Sequence, residues 1–160
     1  MEAKKLIKLI AFVLLCEVIG SLGSIFTIPN IPLWYANLAK PFFSPPNWVF
    51  GPVWALLFLL MGIALYIIWE NKEKKLLKVR NFAINWFGIQ FAFNVLWSYL
   101  FFGLRNPFNG FIGIIFLWFS IIFTIHYFYR TDKKAAYLLV PYLLWVSFAS
   151  ILNYSVMMLN

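Results

Sequence analysis

Charged residues and prolines divide the 160-residue chain into five apolar stretches, residues 6–28, 48–69, 79–103, 108–129 and 135–159. Each holds at least about 20 residues, enough at 1.5 Å per residue to cross a hydrocarbon core of roughly 30 Å. None alternates polar and apolar side chains like a barrel strand. Backbone inside lipid must satisfy its own hydrogen bonds, so each stretch is expected as a helix. Composition agrees, with 64% hydrophobic and 11% charged residues, against about 45–50% and about 25% in a soluble domain. A water-soluble globule and a disordered chain are both excluded. The expected fold is an all-α membrane protein, a single domain over residues 1–160 built as a bundle of five transmembrane helices.

The basic residues set an orientation. Lys4, Lys5 and Lys8 precede the first stretch, Lys72, Lys74, Lys75, Lys78 and Arg80 follow the second, and Arg130, Lys133 and Lys134 follow the fourth. Only Lys40 and Arg105 fall in the alternate loops. The positive-inside rule then puts the N-terminus inside and the C-terminus outside. The net charge of +8 is thereby read as an orientation signal with attraction to anionic lipid, and not as a nucleic-acid surface. The lysines before the first stretch also resemble a signal peptide, with Gly23–Ser24 as a cleavage point. The length of the apolar run favours a retained helix instead. Leu15 before Cys16 is wrong for a lipoprotein site.

Six of the eight prolines (Pro29, Pro32, Pro41, Pro45, Pro46 and Pro52) lie between residues 29 and 52. The outer segment they stiffen is long and apolar, with Ile31, Leu33, Trp34, Tyr35, Leu38, Phe42 and Phe43. Such a loop is expected to pack, as a lid over the outer helix ends or as an interfacial anchor. Residues 33–39 are expected to form a short helix stopped by Pro41.

Polar residues inside apolar stretches carry the functional information. Gln90, Asn94 and Trp97 share one helical face, as do Tyr142, Trp145, Ala149 and Asn153. Counting from the outer ends, Asn94 and Ala149 lie roughly 13 Å deep and Trp54 about 10 Å deep. Trp54, Trp97, Trp145, Asn94 and Asn153 thus fall in one slab beneath the proline-rich loop. Flat aromatic walls with a few amides suit a flat, mostly apolar ligand. The same residues also suit plain interhelical packing, and composition alone leaves both readings open. Glu17, in the middle of the first stretch, is open to reading as a proton site or as structural, neutral or bonded to a neighbouring helix, and the structural reading is favoured. His126 reads as interfacial and Cys16 as a small core residue. One histidine and one cysteine make no metal cluster, and no phosphate-binding glycine loop is present. No metal, no required cofactor and no hydrolytic or phosphoryl-transfer constellation is expected.

These residues resemble the TspO/MBR family of tryptophan-rich sensory and translocator proteins. The resemblance rests on Trp34-Tyr35 with Leu38, Lys40-Pro41 and Pro45-Pro46, then Val49-Phe50-Gly51-Pro52-Val53-Trp54 and Met61-Gly62. It continues through Gln90 to Asn94, Trp97-Ser98 and Phe101-Phe102-Gly103, then Pro141 to Trp145, Phe148-Ala149 and Leu152-Asn153. It implies five helices per subunit, a homodimer in the lipid bilayer, and a pocket for porphyrin, haem or aromatic drug-like ligands closed by the first loop. It places Tyr35, Pro46, Trp54, Asn94, Trp97, Trp145 and Ala149 at that pocket, to which depth adds Gln90 and Asn153. It also implies an enzyme-like alternative, light- or oxidant-driven porphyrin breakdown through Trp54 and Trp145. Transport of tetrapyrrole or sterol is a further alternative. The family's C-terminal sterol pattern is incomplete here, because no Lys or Arg follows Leu152 and Tyr154. That absence points to a prokaryotic cell membrane.

For the dimer, Gly88 and Ala92 form a small-xxx-small pair about 200° away from the Gln90 face. They are expected to point outward to a second subunit. Gly20–Ser24 and Gly110–Gly113 are competing seams.

Overall fold

The computed structural model describes residues 3–160, and every regular element among them is helical. The chain opens with α1 (Ala3–Ser21) and α2 (Ser24–Leu33). A loop with single 3-10 turns at Tyr35–Asn37 and Asn47–Val49 leads into α3 (Phe50–Glu70). Then α4 (Leu77–Ser98) runs directly into a π-turn at Tyr99–Gly103. The last elements are α5 (Pro107–Thr131), α6 (Lys133–Leu138) and α7 (Val140–Leu159). Three helical runs are long and apolar enough to cross a membrane: Asn47–Glu70, Pro107–Thr131 and Lys133–Leu159. α1 and α2, which meet at 42°, make a fourth if the bent pair is one span. This is fewer than the five expected spans. α4 has the length, but Lys78, Arg80, Asn81, Asn85, Gln90 and Asn94 make it too polar to pass by composition.

The first stretch differs most from expectation. Helix continues past residue 28 to Leu33, so Pro29 and Pro32 lie inside α2 and not in the loop. Each removes one backbone donor. The bend between α1 and α2 comes from hydroxyls that compete for helical carbonyls. Ser21 Oγ donates to Val18 O, Ser24 Oγ to Ser21 O and Thr27 Oγ1 to Gly23 O. Leu22 and Gly23 pair three residues back instead of four, which tightens the last turn of α1. The short helix expected over 33–39 shrinks to one turn at Tyr35–Asn37.

Small residues set the close approaches. A Cβ on Gly62 would lie 2.5 Å from Val13 Cα, so α1 and α3 touch backbone to backbone. A Cβ on Gly20 would meet the Phe58 ring at 2.5 Å, and one on Gly23 would meet Ser98 Oγ at 2.7 Å. Gly110 and Gly113 likewise sit against Phe101 and Leu100, on the seam where α4 lies along α5. Stacked rings continue that seam, Trp86 on Phe123 at 4.7 Å and Phe93 on Phe116 at 5.8 Å. The Gly20 and Gly110–Gly113 seams are therefore internal. Gly88 and Ala92 are exposed, with no atom within 4 Å of a Cβ built on Gly88.

The basic segments gather at one end of the bundle. Lys8 pairs with Glu70 at 2.9 Å, Asn71 Nδ2 donates to Thr131 O, and Arg80 Nη1 donates to Asn71 O. Asp132 caps α6 by accepting from the amides of Lys134 and Ala135. At the opposite end, Arg105, at a left-handed φ of 51°, donates from Nε to Asn30 Oδ1 at 2.9 Å. Asn160 clamps the first loop there, donating Nδ2 to Ala39 O and accepting from Ala39 N, each at 3.0 Å.

Gly62→Ala should force α1 off α3, because its neighbour is backbone and cannot rotate away. A loss of about 1–3 kcal/mol is expected, as for other overpacked sites. Gly51→Ala, which meets nothing within 4 Å, should be neutral or stabilising by up to about 1 kcal/mol. Thermal unfolding of both variants in one detergent measures the contrast, and equal melting temperatures would mean that α1 is not seated on α3.

Candidate functional site

The π-turn is the local device that builds the site. An α-helix turns about 100° per residue. The i→i+5 pairing of Leu104 N with Tyr99 O and Asn106 N with Phe101 O widens that turn. Phe101 and Phe102 lie in it, both buried, with ring centroids 4.8 Å apart. Such single π-turns recur at functional sites. Trp34 and Tyr35 from the first loop pack edge-on against this pair, at 5.4–6.4 Å. Lys40 Nζ sits 4.7 Å from the Tyr35 ring centre. Burial pushes the Tyr35 phenol above its ordinary pKa, which keeps it neutral.

Two adjoining spaces open around these rings. The smaller, about 70 Å³, lies between α2, α4, α7 and the loop and is lined by Tyr35, Trp97, Phe101, Phe102, Ala149 and Asn153, among others. The larger is a cleft of about 430 Å³ between α1, α2, α3 and α4, walled by Trp54, Phe58, Asn94 and Ser98 on one side and by Glu17, Ser21 and Ser24 on the other. Thr27, Ile31, Asn47 and Phe50 line both, so the two adjoin along a shared wall, and the cleft is the larger. Its volume is typical of sites for small organic ligands. No His, Cys or Met is among the described residues that line it.

Polar side chains behind the walls hold them in place. Asn94 Nδ2 donates to Tyr142 Oη at 3.0 Å, Tyr142 Oη donates to Gln90 Oε1 at 2.8 Å, and Gln90 Nε2 points to Met61 Sδ at 3.7 Å. This line ties α4 to α7 and touches α3. A level further out, Trp97 Nε1 donates to Asn153 Oδ1 at 3.2 Å, and Asn153 Nδ2 donates to Pro107 O at 2.8 Å. Trp54 stacks on Phe58 with centroids 5.5 Å apart and lies 6.2 Å from Trp97.

The structure therefore brings Tyr35, Trp97, Ala149 and Asn153 to the smaller space and Trp54 and Asn94 to the cleft. Gln90 is buried behind them as a hydrogen-bond partner of Tyr142. Trp145 and Pro46 line neither space. Trp145 backs the wall through Phe50, 5.8 Å away, and its indole N–H is buried without an acceptor. Pro46 directly precedes the lining residue Asn47. Sequence reasoning missed Thr27, Ile31, Asn47 and Phe50. It quoted Phe101 and Phe102 as motif residues without assigning them a role. Glu17 lines the cleft, and no bond from it to a neighbouring helix is found among the described residues.

The model of the TspO/MBR family matches residues 12–159. The chain is similar to the tryptophan-rich protein TspO of Archaeoglobus fulgidus, at 48% identity over 97% of this chain and 98% of that one. It is similar to the tryptophan-rich sensory protein of Cereibacter sphaeroides, at 35% identity over 79% and 77% of the two chains. It is also similar to the translocator protein of Bos taurus, at 33% identity over 91% and 85%.

Tyr142→Phe removes the hydroxyl that links two buried amides. It should cost about 1–3 kcal/mol of stability, because Asn94 loses its acceptor and Gln90 its donor. Combined with Gln90→Leu the loss should be less than the sum, since one partner is then already gone. Additive losses in a double-mutant unfolding cycle would separate the two residues energetically.

Proposed function

The chain belongs to the TspO/MBR family of membrane proteins, and from that premise we propose that it binds porphyrin- or haem-type tetrapyrroles and other flat aromatic molecules. The observation that carries this reading is the pair of adjoining spaces walled by Trp54 and Phe58 on one side and by Trp97, Phe101 and Phe102 on the other. Rigid aromatic faces stack on a flat macrocycle at little entropic cost, and the few amides orient it. The macrocycle would be held mainly by stacking: Tyr35 is the one described lining residue of a type that ligates haem iron, and burial favours its protonated phenol over the ligating phenolate. Tyr35, Trp54, Asn94, Trp97, Ala149 and Asn153 would touch it. Gln90, Trp145 and Pro46 would support those contacts from behind. The role is sensing, carrying or scavenging the ligand in a prokaryotic cell membrane. Trp145 stands behind Phe50 and not on a cavity wall, which favours binding over a breakdown reaction run jointly by Trp54 and Trp145.

In this reading the domain spans the bilayer five times, with α1–α2 as one bent span and α4 with its π-turn as another. The polar residues of α4 face neighbours: Gln90 and Asn94 bond to Tyr142. The end that gathers the basic segments lies inside, and the Arg105–Asn160 end lies outside. The first loop acts as a lid, held by the Asn160 clamp on Ala39.

Ala149→Phe tests the binding reading. The new ring would occupy the smaller space, so affinity for protoporphyrin, followed by tryptophan quenching of the purified protein, should fall at least about tenfold. Ile115→Phe on α5, away from both spaces, should leave it unchanged. Equal affinities in the two variants would remove Ala149 from the site.

The second subunit would dock on Gly88 and Ala92 of α4. The other glycine seams are filled from within the chain, and this one is open. A close backbone approach there replaces lipid contacts with packed helix. In a Cys16→Ser background, cysteines at 88 or 92 should cross-link between subunits in membranes. Cross-links from position 112 or 116 of α5, but from neither α4 site, would move the interface to α5.

A further inference from the structure

We propose that the cleft between α1, α2, α3 and α4, the larger part of the site read above, takes a flat aromatic molecule that carries a protonated amine, with Glu17 as its counter-ion. Glu17 is the only ionisable residue among those lining the cleft. It has no hydrogen bond or ion pair among the described residues, although it sits in the middle of α1. An ionised group at such a depth is costly unless something pairs with it. The nearer cations are engaged elsewhere: Lys8 with Glu70, Lys40 over Tyr35 and Arg105 with Asn30. No hydrogen bond or ion pair to Glu17 is found among the described residues.

The geometry around the carboxyl defines the partner. Glu17, Gly20, Ser21 and Ser24 follow one face of α1 into α2, at i, i+3, i+4 and i+7, and all line the cleft. Gly20 carries no side chain and lies against Phe58, which keeps the path from the carboxyl to the aromatic wall clear. That wall is Trp54 stacked on Phe58. A planar ring laid on it can extend a short ammonium arm to Glu17, forming a charge-assisted hydrogen bond. A porphyrin bearing carboxylates would be repelled at this end of the region and would seat toward Tyr35 and Lys40. The amine reading deepens the flat-ligand reading and rests on it for the aromatic wall of Trp54 and Phe58, while the choice of a cation rests on Glu17 alone.

The test uses the full chain in phosphatidylcholine nanodiscs, with 1-pyrenemethylamine and its neutral isostere 1-pyrenemethanol as probes. Energy transfer from tryptophan to pyrene reports binding. The wild type should bind the amine at least about tenfold more tightly than the alcohol. Glu17→Gln, which keeps shape and removes charge, should bring the two affinities together and leave that of the alcohol within about twofold. Glu17→Asp should keep a preference for the amine. Equal affinities in the wild type, or an amine preference that survives Glu17→Gln, would overturn the proposal. Protoporphyrin titrated into the same discs reads the tetrapyrrole site separately, so loss of one binding mode is visible against retention of the other.

Discussion

The outer half of the molecule depends on one hydrogen-bonded line, from Asn94 through the Tyr142 hydroxyl to Gln90. Lipid tails give helices no hydrophobic reason to associate, so packing and polar contacts must do so. Each such contact contributes only about 0.6 kcal/mol on average in a membrane, and up to about 2. Their value here lies in direction. Tyr142 can satisfy both amides only when α4 and α7 meet at one rotation. That rotation also turns Trp97 to Asn153 and brings Ala149 to the space beneath Tyr35. The polar residues that make α4 unlike a membrane span are thus the ones that lock it in place.

Close approach does the corresponding work on the other side. α1 makes no buried hydrogen bond to α3; it touches α3 through Gly62 and through Gly20 against Phe58. Where glycines allow contact the helices meet, and where Glu17, Ser21 and Ser24 face α4 they do not, and the cleft remains. A space walled this way is a consequence of which residues are small, since a packed interior otherwise leaves few voids. The bend at Ser21–Ser24 carries α2 across its top, so the same hydroxyls that break the helix also line the opening.

Much of this was legible in the sequence. Apolar length located the helical runs, because lipid permits little else, and helical spacing put Gln90, Asn94 and Trp97 on one face. Depth counting brought Trp54, Trp97, Asn94 and Asn153 to a common level, where ring and hydrogen-bond contacts now join them. What was not legible has physical causes. Pro29 and Pro32 suggested a loop, since an interior proline loses a donor and crowds the carbonyl four residues back, yet the helix turns on to Leu33, with the Asn30 side chain bonding back to the Phe26 carbonyl. The π-turn at Tyr99–Gly103 has no periodic signature, so the joint burial of Phe101 and Phe102 could not be read from spacing. Trp145 shared a face with Ala149 by helical arithmetic. Phe50, from the start of α3, comes between it and the cavity, and only the tertiary placement of that residue decides the matter.

The distribution of charge along the region follows from the same constraints. At the loop end Lys40 is held over the Tyr35 ring. Further in, the walls are aromatic and the amides of Asn94 and Asn153 already have partners. Glu17 stands on the α1 side, without a partner among the described residues and on a helix face of small residues. In the proposed reading an anionic group would seat toward Tyr35 and Lys40 and a cationic one toward Glu17, so the two adjoining spaces would select for orientation as well as for flatness.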